Sequence, residues 1–419
     1  MAPARIDARR VRASRISLMV FFAGMGLMLG TYVSRVPSVR DALGVTPAGL
    51  AALFIVGSLG GLMAFSLLGG LVARFGSLRL VRVASVGIVL AFWAMGLAAH
   101  LGTWIGFALA LFFALGSFET LNALSNAEAA TVERHVGRSI LSQFHAVFSL
   151  ALLAGVGIGA LYSFADVAVP VHYAVNVTVV GAAYLVLSRV AILDGARPDV
   201  DSVERRDGLF VTLKVAARER RTLALGFILF CAFTVEMGAA NWVPLGIVDD
   251  FGRTEALAAA FYAFLVVAQS IARLMGTRVV DRWGRVTVLR ACGSLVTVGA
   301  LIFAFTPTFW AVPVAMLVWG AGVSMGYPLA ISAAADERSH ATARVAAVAA
   351  FGTIAGLTMP QVIGLIAEQV PLRQALLVSV VAAGAMVALA SAARPPEPAA
   401  TQARLRGEEG DRGADTLGA

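Results

Sequence analysis

The sequence predicts an all-α membrane protein whose twelve transmembrane helices form two pseudo-symmetric six-helix bundles. Its 419 residues are 59% hydrophobic and 14% charged, with a mean hydropathy of +0.83, whereas a soluble domain has about 25% charged residues. Runs such as 223–231 and 312–319 are apolar almost throughout and lack the alternation of a membrane β-barrel strand. Because backbone amides in hydrocarbon must be hydrogen-bonded within their own segment, these runs are expected to cross the membrane as helices.

A helix needs about 20 predominantly apolar residues to cross the hydrocarbon, and twelve segments of the chain meet this requirement. Polar side chains interrupt the fourth at Glu119 and Asn122 and the seventh at Glu236 and Asn241. In chain order, the predicted spans are 16–34, 46–69, 80–99, 104–125, 140–162, 172–193, 222–247, 256–276, 287–305, 310–333, 343–366 and 373–392.

Positive charge predicts the orientation of these spans, because Lys and Arg near span ends are retained in the cytoplasm. With both termini in the cytoplasm, the external loops hold four of the 33 basic residues, namely Arg35, Arg40, Arg253 and Arg373, and the cytoplasmic segments hold the rest. The sequence therefore predicts a multi-pass protein of the cell inner (plasma) membrane with both termini in the cytoplasm.

The domain organisation is six spans plus six, because one loop is much longer than the others. The two halves also share a pattern: residues 74–76 read RFG after the second span, and 282–284 read RWG after the eighth. Such symmetry places a substrate site between the halves, near the middle of the membrane. The predicted segments are a basic N-terminal tail at 1–15, bundles at 16–193 and 222–392, a cytoplasmic linker at 194–221 and a disordered tail at 393–419.

Two carboxylates inside predicted spans are candidates for proton coupling. A charge at the centre of a span is costly, so such a side chain normally faces a cavity or a partner. Glu236, about midway along the seventh span, is the leading candidate, and Glu119 in the fourth is the second. For Glu236, the alternative is a structural hydrogen bond that fixes the carboxylate permanently. Glu119 could instead form a hydrogen bond with a polar substrate.

Other polar side chains in the spans are candidates for substrate binding. Asn122 and Asn126 share one helical face with Glu119, where they could also join helices by hydrogen bonds. Aromatic and amide groups commonly hold a polar ligand, although ordinary packing is the alternative for each. Arg35, at the external end of the first span, could bind an anion or extend to the interface. The remaining candidates of this kind are Asn241, Trp242, Tyr327 and Gln361.

His145, near the cytoplasmic end of the fifth span, could form a pH-sensitive gate or a structural hydrogen bond. Pro328 and Pro360 interrupt spans ten and eleven, which suits either helices that bend during transport or static kinks.

Enzyme signatures are missing from the chain: we find no phosphate loop of the form GxxxxGK[ST], no HExxH and no GxSxG. The sequence therefore predicts neither an enzyme nor a cofactor. Cys231 and Cys292 lie in apolar runs and are not expected to bind a metal. Basic residues are scattered over short loops, so nucleic acid is not an expected partner.

Taken together, these motifs resemble the major facilitator superfamily over residues 16–392. Its loop signature, GxLxDRxGR, corresponds to GGLVARFG at 69–76 and DRWGR at 281–285. More narrowly, FHAVFS at 144–149, EMGAANW at 236–242 and GYPLAIS at 326–332 resemble bacterial permeases related to fucose permease.

The resemblance implies gating roles for Arg74, Asp281, Arg282 and Arg285. The first copy of the motif has Ala73 in place of the acidic residue that helps to lock the halves together in this family, and Asp281 is expected to supply that acid from the other half.

The resemblance also implies the proton-linked movement of a small polar solute, a sugar being one candidate. We expect a monomer in the lipid bilayer that works by alternating access between the two bundles. Its cavity is expected mainly between spans one, four, seven and ten. A proton-driven exporter of amphipathic compounds is the alternative, and a membrane sensor that moves nothing is the third.

Overall fold

The computed structural model describes residues 7–136, 140–193, 219–336 and 341–395. Within these ranges the chain is helical and contains no β-strand. The predicted tail at 393–419 and linker at 194–221 lie almost entirely outside the described residues, as do residues 1–6 of the N-terminal tail.

Twelve spans cross the molecule, as predicted. Eleven helices are long and apolar enough to cross a membrane, and one of them, Glu255–Phe305, is 51 residues long and turns at Gly284. Its two arms, 255–283 and 285–305, are therefore separate spans. In chain order, spans 1 to 6 are Ala8–Val33, Pro47–Phe75, Ser77–His100, Trp104–Val136, Leu141–Phe164 and Val169–Ala191. Spans 7 to 12 are Arg220–Phe251, 255–283, 285–305, Phe309–Ala334, Ala341–Ile366 and Leu372–Ala393.

Span 1 begins earlier than its apolar run, because its basic first turns are held by another helix. The Arg10 guanidinium donates hydrogen bonds to the carbonyls of Arg189, Val190 and Ile192 at the end of span 6. Residues 8–15 of the predicted tail are therefore helical. Arg221 does the same in the second half, where it donates to the carbonyls of Ala392 and Arg394 at the end of span 12.

The turns between spans repeat in the two halves. Gly76, between spans 2 and 3, has φ 78° and ψ 153°, and Gly284, between spans 8 and 9, has φ 75° and ψ 157°. This backbone conformation is accessible almost only to glycine. Thr46 and Thr254 likewise cap the starts of spans 2 and 8 with their side-chain oxygens. The RFG and RWG patterns thus form the same turn, which confirms the pseudo-symmetry of the two bundles.

The two halves meet through spans 2 and 11 and through spans 5 and 8. We call the end of the bundle where span 1 begins the proximal end and the opposite end the distal end. Near the distal end, the rings of Phe54 and Trp242 lie 5.9 Å apart across the boundary between the halves. The Glu368 carboxylate accepts a hydrogen bond from the amide of Ala48 there, at 3.4 Å.

Candidate functional site

A cavity of about 360 Å³ lies between the two halves. Spans 2 and 4 line one side and spans 7, 10 and 11 line the other. The prediction that span 1 lines the cavity is therefore wrong. Span 1 packs instead against spans 5 and 6, with Gly26 and Gly30 against the backbone of span 5. The lining residues are Ser58, Gly61, Leu62, Phe65, Leu115, Glu119, Asn122, Phe233, Tyr327, Ala349, Gly352, Thr353, Gly356 and Leu357.

Among the described residues that line the cavity, Glu119 is the only one with a charged side chain. Its carboxylate accepts a hydrogen bond from the Asn122 amide at 3.4 Å, and no described Lys or Arg lies within ion-pair distance of it. Gly61 gives it room, because a Cβ at that position would lie 3.0 Å from Glu119 Cγ. The carboxylate therefore meets the cavity without a counter-ion from the described chain.

The side-chain amides of Asn122 and Asn126 connect to Glu119 through a row of hydrogen bonds along span 4. Asn126 Nδ2 donates to Asn122 Oδ1 and to the Asn122 carbonyl, both at 2.9 Å. Asn122 in turn donates to Glu119. Asn122 lines the cavity, whereas Asn126 is absent from its lining and orients Asn122.

Glu236, the other candidate, is held in an ion pair. Arg273 Nη2 lies 2.9 Å from Glu236 Oε1, and Gln269 Nε2 donates to the same oxygen at 2.6 Å. The side chains of Glu236 and Arg273 are 25% and 33% exposed. This geometry favours the structural interpretation of Glu236 over proton exchange.

Sequence reasoning missed Arg273, because its charge was counted with the cytoplasmic span ends. The structure places it within span 8, where it also donates from Nε to the Ser324 carbonyl at 3.1 Å. That carbonyl lies four residues before Pro328, which has no N–H to bond it. An arginine inside the predicted span 256–276 was the available signal.

The remaining substrate-binding candidates divide between the cavity and the packed interior. Tyr327 lines the cavity and is 41% exposed, with its ring 5.7 Å from that of Phe233. Asn241, Trp242 and Gln361 are not part of the cavity lining. Trp242 is completely buried, and both amide atoms of Gln361 are buried without a hydrogen-bond partner.

Arg35 joins the halves at the distal end, away from the cavity lining. Its Nε lies 3.3 Å from Glu255 Oε2, and the two side chains are only 6% and 10% exposed. Glu255 also accepts hydrogen bonds from Ser38 Oγ at 2.6 Å and Ser163 Oγ at 2.9 Å. This pair, which we call the distal clasp, is neither a free anion site nor an interfacial side chain.

A second, more exposed ion pair lies beside the distal clasp. Arg40 binds both oxygens of Asp249 across the boundary between the halves. Asp249 and Glu255 both lie in parts of the sequence for which no functional role was predicted.

The predicted gating residues lie near the proximal end. Arg285 donates to Asp336 at 2.7 and 2.9 Å, and Arg221 donates to the same carboxylate at 2.8 Å. This network ties span 7, span 9 and the end of span 10 within one half. The expected acid, Asp281, is exposed and forms no ion pair in the described chain.

Three other predicted gating side chains are also placed by the structure. Arg74 and Arg282 are exposed, with the Arg74 guanidinium 5.2 Å from the Phe75 ring centroid. The His145 ring packs edge-on against Phe22 at 5.4 Å.

Comparison with known proteins gives matches along the chain. The model of the Major Facilitator Superfamily matches residues 225–417. An uncharacterized transporter, y4wD, of Sinorhizobium fredii (strain NBRC 101917 / NGR234) is 30% identical over 353 residues, which make up 83% of this chain and 89% of that protein.

Solved structures share the fold at low identity. The nucleoside transporter NupG gives a TM-score of 0.69 at 13% identity, covering 91% of this chain and 98% of that one. The fucose:proton symporter FucP of E. coli gives a TM-score of 0.62 at 16% identity, and the match again covers 91% of this chain and 98% of that one.

Proposed function

This chain belongs to the major facilitator superfamily, and from that premise we propose that it is a proton-coupled secondary transporter that moves a small polar solute by alternating access. One observation carries the proposal: a cavity between the two halves contains a carboxylate, Glu119, that has no basic partner in the described chain. Glu119 therefore replaces Glu236 as the leading candidate for the proton site.

A charge without a partner is costly inside a membrane protein, and protonation removes that charge. If one conformation exposes Glu119 to water more than the other, protonation changes the balance between the two conformations. A ligand shifts such an equilibrium only by binding one state better than the other. A proton on Glu119 meets this requirement, whereas Glu236 keeps its charge balanced by Arg273.

The rest of the lining suits a small polar solute. Asn122, Ser58, Thr353 and the Tyr327 hydroxyl offer hydrogen-bonding groups among apolar walls. Ligand sites commonly combine a few polar groups with a mainly apolar surface.

The distribution of contacts between the halves supports alternating access. All the hydrogen bonds and ion pairs that join the halves in the described chain lie at the distal end, at Arg35, Ser38, Arg40, Ala48 and Ser163. If both termini are in the cytoplasm, as the charge distribution predicts, this conformation is closed to the outside. The opposite conformation would break these contacts.

The test is the internal pH of proteoliposomes that contain a pH-sensitive dye, as monosaccharides, sugar acids and lipophilic cations are added in turn. The wild type is expected to move protons with one class of solute, and Glu119→Gln to abolish that movement. Glu128→Gln is the matched control, because Glu128 lies in the same span, is buried and is not part of the cavity lining.

Two outcomes would overturn the proposal. Proton movement that survives in Glu119→Gln would remove this residue from the coupling. Binding of a solute without any transport would favour a sensor. The exporter of amphipathic compounds would be promoted only if lipophilic cations alone moved protons, and the described lining, which has two phenylalanines and no methionine, does not favour it.

A further inference from the structure

We propose that a separate cavity at the proximal end binds a phosphate group, carried either by an anionic phospholipid or by a small soluble molecule. The cavity has a volume of about 550 Å³ and lies between the first turns of span 1 and the end of span 4. It shares no described lining residue with the cavity between the halves. The inference goes beyond the proposed transport function and does not depend on it. The described lining residues are Ala8, Val11, Arg12, Arg15, His135 and Val136.

The first observation is that basic side chains from two different spans line this cavity. Arg12 and Arg15 lie on span 1, three residues apart and therefore on one face of the helix. His135 approaches from the last turn of span 4. Within the described ranges, neither arginine forms an ion pair. Basic pockets between membrane helices on the cytoplasmic side are suited to the head groups of anionic lipids.

The second observation is that Arg15 is fixed in position and still has an unused donor. Its Nη2 donates to Gln143 Oε1 of span 5 at 2.6 Å, whereas its Nε is buried without a hydrogen-bond partner in the described part of the chain. A buried charged donor without a partner is costly, and a water molecule or an ion normally satisfies it. A phosphate oxygen at Arg15 would satisfy this donor with a charge-assisted hydrogen bond.

The third observation is that His135 and the start of span 1 add to the positive field of the cavity. Nδ1 of His135 lies 2.9 Å from the Thr131 carbonyl. Because a carbonyl only accepts, Nδ1 donates there, and the second ring nitrogen, Nε2, donates when the ring is protonated. Span 1 begins at Ala8, so the positive end of its helix dipole lies at the same cavity. The Asp7 carboxylate near this end accepts a hydrogen bond from the Arg9 amide at 3.1 Å.

A phosphate group fits these donors better than a carboxylate does. Both arginines keep their charge at any physiological pH, and a phosphate monoester carries nearly two negative charges and three strong acceptor oxygens. Apolar residues adjoin the basic ones: Val11 and Val136 line the cavity, and Ile16, one turn beyond Arg12, is 54% exposed. These side chains suit the glycerol and acyl parts of a phospholipid, or the carbon skeleton of a soluble phosphate ester.

The test is thermal unfolding of the full chain in a neutral detergent at constant ionic strength, with sodium chloride as the reference salt. Inorganic phosphate and glycerol phosphate are the soluble probes. Short-chain phosphatidylglycerol is the lipid probe, and phosphatidylcholine of the same chain length is its control. Because spans 1, 4 and 5 all belong to one half, bound phosphate should stabilise the fold in either arrangement. At least one anionic probe is expected to raise the melting temperature of the wild type in a saturable way.

Matched arginine variants show whether the cavity is responsible. Arg12→Gln removes a charge from the lining and no ion pair of the described chain, and it should raise the half-saturating concentration roughly tenfold or more. Arg79→Gln is the control, because Arg79 is an exposed arginine near the proximal end of the same half and is not part of the described lining. It should respond to the probes as the wild type does.

The outcomes distinguish the two sources of phosphate from failure of the inference. Stabilisation by phosphatidylglycerol alone identifies a lipid head group, and stabilisation by a soluble probe as well identifies a soluble ligand. The inference is wrong if no anionic probe stabilises the wild type, or if Arg12→Gln responds as the wild type does. It is also wrong if phosphatidylcholine acts as strongly as phosphatidylglycerol while the soluble probes have no effect. None of these results depends on proton movement, so the proposed function stands or falls separately.

Discussion

At the scale of single residues, two intramembrane carboxylates with the same sequence signal have different surroundings. Both Glu119 and Glu236 interrupt apolar runs, and hydropathy alone identifies them as exceptional. It cannot rank them, because the partner of Glu236, Arg273, lies 37 residues away on another span. Pairing between spans depends on helix packing, which a single sequence does not specify.

The pairing predicts a compensating pair of substitutions. Glu236→Gln leaves Arg273 without its counter-ion, and Arg273→Gln leaves Glu236 without its own, so each single variant should lose about 1 to 2 kcal/mol of unfolding free energy. A fully buried pair would lose more, but these side chains remain a quarter to a third exposed. The double variant should recover most of the loss in thermal unfolding in detergent.

The same variants separate the two interpretations of Glu236. If the ion pair is structural, the double variant keeps proton-coupled transport. Transport that stays lost in the folded double variant would show that Glu236 itself carries the proton.

A second prediction at this scale concerns the space around Glu119. Gly61→Ala places a methyl group 3.0 Å from Glu119 Cγ, so the carboxylate must shift away from span 2. We expect a changed pH dependence of transport without a loss of stability, because alanine favours a helix over glycine by about 1 kcal/mol. Gly70→Ala in the same span meets no neighbour within 4 Å and should leave the pH profile unchanged. Equal pH profiles for the two variants would contradict the close packing of Gly61 on Glu119.

At the scale of helices, the apolar runs predicted most of the fold, because crossing a membrane requires a length and a hydropathy that the sequence shows directly. The helix ends were less predictable. Span 4 continues to Val136, well beyond its apolar part. Pro328 and Pro360 carry the same sequence signal, yet span 10 breaks at 324–325 whereas Ala341–Ile366 continues through Pro360. Arg273 bonds the Ser324 carbonyl at the break, and that contact comes from a different span.

The repeated turns give a prediction for two glycines. Gly76→Ala and Gly284→Ala should each cost about 1 to 3 kcal/mol, because alanine rarely adopts a φ near 75°. The two costs should be similar, since the backbone angles agree and an added methyl group would meet no neighbouring atom within 4 Å at either site. Gly384→Ala, which is helical and equally free of neighbours, should not destabilise the protein. Thermal unfolding of the three variants measures the difference, and equal melting temperatures would contradict the strained turn.

At the scale of the whole molecule, the sequence predicted two related halves but not how they hold together. Symmetry follows from repeated patterns within one chain. The contacts between halves depend on the conformation, and the distal clasp uses Arg35 and Glu255, which are 220 positions apart. Because the two arrangements of an alternating transporter share one sequence, only a structure of one arrangement identifies the pairs that stabilise it.

The two distal ion pairs should therefore differ in how strongly they bias the equilibrium between arrangements. Glu255→Gln leaves the buried Arg35 charge uncompensated, which costs about 3 to 5 kcal/mol in a closed distal end and less once that end opens to water. Asp249→Asn removes the more exposed pair with Arg40, which is worth about 1 kcal/mol or less. The measurement uses a variant in which the two free cysteines, Cys231 and Cys292, are replaced. Spin labels are attached at the exposed positions Leu101 and Trp310, one in each half near the distal end. Pulsed electron paramagnetic resonance then gives the distance between the two labels. Glu255→Gln should move most of the population to longer distances and Asp249→Asn only a small part, whereas an unchanged distribution in Glu255→Gln would show that the clasp does not hold the halves together.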